Sequence, residues 1–313
     1  MSSPAATLTA FVPSGRAEAR IELAEVPEPL ATEDQAVVAV EAFSINRGET
    51  FLLEAPREGW RPGQDVAGRV LEAAADGSGP PTGARVVGHA WEGGWAVRVP
   101  ISTDALVELP DAITASVAAT LPLAGLTAVR LLRAAGSLAG RRVLVTGASG
   151  GVGHLLVELA AVQGARIAAI ARTPERGERL RALGAEQAAA RIEDTSGTFD
   201  VAFESVGGAS LTAAAERLAP RGVVWWFGQA SRDPAVFDFF ALPGRATVRR
   251  FVYWPHDEPD RFDLQVLVDL VASGRLHPEI GLLTDWRETP DALVALRERQ
   301  IRGNAVLTIP AGS

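Results

Sequence analysis

The chain has 313 residues, 47% apolar and 22% charged, a globular composition long enough to bury two hydrophobic cores. It has no cysteine and all 30 of its basic residues are arginine, which excludes disulfides, thiolate nucleophiles, iron–sulfur clusters, cysteine-bound zinc and Schiff-base lysines. A net charge of −8 argues against nucleic-acid binding, no apolar run reaches the length of a membrane span and no signal-peptide pattern opens the chain, so a cytoplasmic protein is expected.

Up to about Pro110, short alternating apolar runs (Leu8–Val12, Arg20–Val26, Gln35–Ala42, Val66–Ala73, Ala84–His89, Trp95–Val99) are separated by Gly, Pro and Asp, the pattern of antiparallel strands in a compact barrel. A helical pattern over Thr114–Ala135, interrupted by Pro122 and Gly125, leads into the most informative stretch, Arg141 to Gly153. There an apolar strand enters a glycine-dense turn that opens into a helix. Gly150 and Gly153 stand where backbone must approach a pyrophosphate and where helix must pack on strand, with Ala148 at the first glycine position.

Strands at Val143–Thr146, Ile167–Arg172, Val201–Ser205 and Val223–Phe227 then alternate with helices after Gly153, after Pro174 and over Leu211–Leu218, which predicts a doubly wound parallel sheet. Thr247–Trp254 reads as a last strand and Pro259–Arg275 as an amphipathic helix. The tail, Ile280–Ile309, reads as helix plus a short strand, Ala305–Ile309, that rejoins the barrel.

These residues taken together resemble the zinc-independent, quinone-oxidoreductase-like branch of the medium-chain dehydrogenases/reductases, which includes polyketide enoyl reductases. The resemblance is carried by Ser44-Ile45-Asn46, Arg61 to Gly68, Gly93 to Ala96, Leu121 to Ala128, Val145 to Gly153, Leu183-Gly184-Ala185, Phe199-Asp200-Val201 and Ser205 to Gly208. It implies an α/β protein: a GroES-like β-barrel catalytic domain over 1–122, a Rossmann NADP-binding domain over 123–260, and a segment over 261–313 that returns to the catalytic domain. Zinc-dependent relatives have a cysteine ahead of the segment matching Asn46, a His-Glu pair near Gln64-Asp65 and a four-cysteine lobe. None of these is present, and His89, His154, His256 and His277 have no ligand spacing, so no metal is expected. Three family-typical residues are also replaced: Gly83-Ala84 stands for Gly-Asp, Glu49 for the aspartate after the Asn motif, and Asn304 for a lysine.

An NAD enzyme places an acidic residue about 20 positions past the fingerprint, whereas this chain has Arg172-Thr173-Pro174-Glu175-Arg176. Arg172 and Arg176 can clamp a 2′-phosphate with Thr173 donating to it, which points to NADP(H); the alternative is a solvated helix start whose arginines pair with Glu175 and Glu178. Expected cofactor contacts are Ala148, Ser149, Gly150, Gly151, Val152, Gly153, Arg172, Thr173 and Arg176, to which the resemblance adds Gly228, Gln229, Phe251 and Asn304. The resemblance places Asn46 and Thr127 near the nicotinamide, with a turn-forming amide and a helix-interior hydroxyl as their alternatives. Tyr253, the single tyrosine, can donate to a substrate carbonyl or serve packing or a dimer contact.

A hydride donor without a metal suits quinones or the C=C bond of an α,β-unsaturated carbonyl, because transition-state charge spreads over a conjugated enolate. No clustered His/Asp pair identifies a general acid. The expected function is an NADPH-dependent enone or quinone reductase, a homodimer joined through the last strand. A nonredox NADPH sensor or RNA-binding protein on the same fold is the alternative.

Overall fold

The computed structural model describes residues 6–16, 20–253, 258–310 and 312. In chain order, strands β1 (Thr7–Pro13), β2 (Ile21–Pro27) and β3 (Gln35–Ile45) precede helix α1 (Arg47–Leu52), and β4 (Asp65–Glu72), β5 (Arg85–His89), β6 (Arg98–Ser102) and β7 (Leu106–Glu108) follow it. Next come α2 (Ala115–Ala118), α3 (Pro122–Ala135), β8 (Arg142–Val145), α4 (Gly151–Val162), β9 (Arg166–Ile170), α5 (Pro174–Ala182) and β10 (Gln187–Ala189). The chain continues through β11 (Phe199–Glu204), α6 (Gly208–Glu216), β12 (Leu218–Trp226) and β13 (Thr247–Arg250), and closes with α7 (Asp260–Ala272), β14 (Ile280–Asp285), α8 (Thr289–Arg297) and β15 (Asn304–Thr308). No helix among the described residues is long and apolar enough to cross a membrane.

The chain divides into two units, Met1–Leu126 with Asp257–Ser313, and Thr127–His256. In the first, β1 and β2 form an antiparallel hairpin, and a mostly antiparallel sheet runs β14-β15-β3-β4-β5-β7 with β6 also on β3. Along β3 buried and half-buried residues alternate until Ala42, after which both faces are covered. Its core stacks Phe43 on Trp95 at 5.8 Å and sets Phe11 edge-on to Trp286 at 5.6 Å. Burying each such ring contributes about 1.5–3 kcal/mol. The tail does rejoin this sheet, with β15 antiparallel to β3 and Ala305 opposite Ile45.

The second unit is a six-stranded parallel sheet of order β10-β9-β8-β11-β12-β13. Strand order reverses between β8 and β11, and in such sheets the crevice beyond the carboxyl ends of those two strands receives the ligand. Val143, Leu144, Val145, Ala202 and Phe203 are wholly buried, as continuous apolar strands covered on both faces require.

The elements depart from the sequence reading at definite places. The expected strand Trp95–Val99 shifts to β6, because Gly94 and Trp95 are held by their N–H groups to the Gly63 and Pro62 carbonyls. Gly125 does not interrupt α3 but lies against Leu267, where an added Cβ would stand 2.5 Å from its Cδ1. The helix expected to reach Leu218 stops at Glu216, and Leu218 starts β12. The tail contains a second strand, β14, parallel to β15. The last strand of the sheet ends at Arg250, and Trp254, its expected end, lies outside the described residues, as does His256.

Candidate active site

The glycine turn is built by contacts that admit no side chain. Gly147 has φ +58°, and a Cβ there would lie 2.5 Å from Ser205 Oγ; one on Gly153 would lie 2.4 Å from the Gly147 carbonyl oxygen. Ala148 is wholly buried and its N–H donates to the Ile170 carbonyl, while Gly150 is the N-cap of α4. Ser149, Gly151 and Val152 remain half-buried at the mouth of the turn, where a helix N-terminus offers N–H groups to an anion.

Two residues past β9, Arg172 and Thr173 are exposed. Thr173 caps α5, its hydroxyl accepting from Arg176 N at 3.5 Å, and Arg176 Nη1 donates to Ser149 Oγ at 3.4 Å. The last of these brings a guanidinium onto the glycine turn.

Gly228 and Gln229, just past β12, pack on the segment that meets the turn at Ser205: a Cβ on Gly228 would lie 2.8 Å from the Ser205 carbonyl, and one on Gly207 2.8 Å from Gln229 Cγ. Behind them Glu204, wholly buried at the end of β11, accepts from Thr146 Oγ1 at 3.0 Å and from the N–H groups of Val206 and Gly207 at 2.9 Å each. Burial pushes its carboxyl up against the pull of those donors. Phe251 N donates to the Trp226 carbonyl at 2.7 Å, its ring edge-on to Trp225. Tyr253 is half-buried, its carbonyl receiving Arg130 Nη1 at 3.1 Å, and Thr127 is buried within α3.

Asn46, Asn304 and a buried acid cluster belong to the other unit. Asn46 is the N-cap of α1; its N–H donates to Glu49 Oε2 at 2.8 Å and its Nδ2 to Asp65 Oδ2 at 2.7 Å. Asp65, wholly buried at the head of β4, also accepts from Ser44 Oγ and, through Oδ1, from Leu123 N at 2.7 Å. Glu49 Oε1 accepts from Gly63 N at 3.0 Å. Burial and then the charge of Asp65 push Glu49 up to about 8, and burial raises Asp65 as well. Asn304 is buried, with both its backbone N–H and its Nδ2 donating to the Glu279 carbonyl, at 2.8 and 3.2 Å.

The structure therefore brings together the glycine turn, Arg176, Gly228 and Gln229, whereas Asn304 is engaged on a backbone carbonyl of its own unit. It also forms a His/Asp pair where the sequence suggested none: His89, across the strands from Asp65, meets Asp260 Oδ2 through Nδ1 at 2.6 Å. Those two are 171 positions apart, so no local pattern announces them. Glu49, Asp65 and Glu204 had one legible signal, a carboxylate among residues otherwise destined for burial. Among the described residues no group of His, Asp and Glu is arranged to hold a metal ion.

A zinc-binding dehydrogenase family model matches residues 151–267. The polyketide synthase GfsB of Streptomyces halstedii is 32% identical over 89% of this chain, which spans 5% of that protein. The 2-methylene-furan-3-one reductase of Solanum lycopersicum is 32% identical over 58% of this chain, and 52% of that protein is covered. The chain thus spans about half, or far less, of the length of these relatives. The structure of the Escherichia coli quinone oxidoreductase complexed with NADPH superposes with TM-score 0.86 at 23% identity, covering 97% of this chain and 100% of that one.

Proposed function

We propose that the chain belongs to the quinone-oxidoreductase and enoyl-reductase branch of the medium-chain dehydrogenases/reductases, and that it reduces a quinone, or the C=C bond of an α,β-unsaturated carbonyl, with NADPH and without a metal. The carrying observation is the side-chain-free turn at Gly147, Gly150 and Gly153 with Arg176 drawn onto its Ser149. A pyrophosphate fits at the N-terminal N–H groups of α4, beside the half-buried Ser149, Gly151 and Val152, and a 2′-phosphate fits between Arg172, Thr173 and Arg176.

When bound, NADPH supplies the hydride. The residues of the chain do the rest. Glu204 holds the Val206–Gly207 backbone, where Gly207 packs on Gln229 and the neighbouring Ser205 on Gly228, fixing the floor beside the cofactor. Asn46 and Thr127 orient the reacting groups, and the Tyr253 hydroxyl donates to the carbonyl or enolate oxygen as charge develops there. Cofactor contacts from Ala148, Ser149, Gly151, Val152, Phe251 and Asn304 belong to the same reading. The metal-free assignment is supported by donor chemistry, since a chain without cysteine lacks the thiolates that zinc favours in this family.

The protein is proposed to work as a homodimer. Strand β13 is the open edge of a parallel sheet, with Val248, Arg249 and Arg250 exposed, and symmetric pairing would close it. The activity is tested by mixing the protein with NADPH and a panel of quinones and enones. Loss of the reduced-nicotinamide absorbance with at least one acceptor is expected, and no loss with any of them would overturn the assignment.

A further inference from the structure

We propose that Asp65 is a positioning residue for the reaction, acting through Asn46. The inference rests on the reading of Asn46 as a reacting-centre residue and goes beyond it by assigning what holds that side chain in place. Asp65 lies wholly buried at the head of β4, and its two oxygens receive three donors from three segments: Ser44 Oγ from the end of β3, Asn46 Nδ2 from the cap of α1, and Leu123 N from the first turn of α3. An ionised carboxylate accepts and cannot donate, so it admits only one orientation of the neighbouring amide, with Nδ2 turned toward it and Oδ1 away.

Glu49 completes the arrangement. Both its oxygens accept backbone N–H groups, from Asn46 itself and from Gly63. The backbone of Asn46 is thereby fixed by one acid and its side chain by the other. Burial raises both acids, and the charge of Asp65 adds to the rise of Glu49 to about 8. At Asp65 its three donors oppose the effect of burial.

A residue that only stabilised the fold would impair the enzyme whether or not Asn46 were present, whereas one acting through Asn46 has little left to do once that amide is gone. The test is a double-mutant cycle of D65N and N46A, reading kcat, KM, NADPH affinity and unfolding midpoint. N46A and D65N are each expected to lower kcat about tenfold or more with NADPH affinity little changed, and D65N to cost less than about twofold in the N46A background. Losses that multiply in the double variant overturn the inference while leaving Asn46 in the reaction. An N46A enzyme with wild-type turnover overturns the reading of Asn46 and the inference with it.

Should D65N fail to fold, the wild-type protein decides. The chain has two asparagines, Asn46 and Asn304, so selective asparagine labelling gives two side-chain amide signals by NMR. Two resolved, slowly exchanging Asn46 amide protons are expected, as for the buried Asn304. A fast-exchanging, averaged Asn46 pair would overturn the proposal.

Discussion

At the scale of single residues, charge placement separates cofactor choice from fold. Arg172 is exposed and Arg176 reaches Ser149, and under the proposed function a 2′-phosphate would add charge-assisted bonds to both that a bare ribose would not. Arg172→Ala is expected to weaken NADPH binding by about 2 kcal/mol and leave NADH nearly unchanged in a fluorescence titration; equal losses for both would dismiss the clamp. Tyr253→Phe removes one hydroxyl and keeps the ring. If that hydroxyl stabilises the developing oxyanion, kcat/KM falls about tenfold to a hundredfold without a change in unfolding midpoint. Unchanged turnover assigns Tyr253 to packing.

Glu49 gives the clearest pH dependence. Its ordinary value of 4.5 is raised to about 8 in the native protein, so between those pH values the unfolded chain releases a proton that the folded chain retains. Folding is therefore favoured by this group below pH 4.5, loses that stabilisation as pH rises toward 8, and changes little above it. Glu49→Gln removes the titration. Denaturant midpoints are expected to fall more steeply across this interval in the wild type than in the variant, and parallel curves would contradict the buried-acid assignment.

At the scale of elements, the strand–turn–helix at β8 and α4 depends on backbone proximity. Gly153→Ala would push a methyl group to within 2.4 Å of the Gly147 carbonyl, so α4 must shift away from β8. Loss of NADPH binding with most of the secondary structure retained is expected by titration and circular dichroism. The C-terminus of α8 offers the converse case. Arg299 lies just past the cap at φ +62°, a conformation that favours glycine, and its charge adds to the burial that lowers the pKa of the Arg47 guanidinium. Arg299→Gly is expected to stabilise the protein by about 1 kcal/mol in urea unfolding; a lower midpoint would show that the arginine side chain outweighs its backbone strain.

Elements with a strong local period were legible in sequence: the β8 strand, its glycine turn, α4 and β9 lie where the apolar pattern and the turn residues put them. β14 was not, because Ile280–Asp285 is only half-covered and becomes a strand by pairing with β15 rather than by its own alternation. The same reason moved the start of β12 back to Leu218, where a partner strand was available in β11.

At the scale of the whole molecule, assembly is the open physical question that β13 poses. Light scattering at working concentration is expected to give twice the chain mass of 32.9 kDa, and a clean monomer would show that Arg249 and Arg250 protect the edge from pairing. What the sequence determined by itself was whatever depends on neighbours in the chain: the alternation of strands and helices, the glycine fingerprint with arginines where NAD enzymes carry an acid, and the absence of thiolate and lysine chemistry. Tertiary structure alone decided which polar groups share a buried space. Asp65 meets Asn46 and Leu123 across 19 and 58 positions, and His89 meets Asp260 across 171. Such partners are selected by the cost of leaving a carboxylate or imidazole buried and unpaired, a free energy that exists only once the sheet has formed and excluded water.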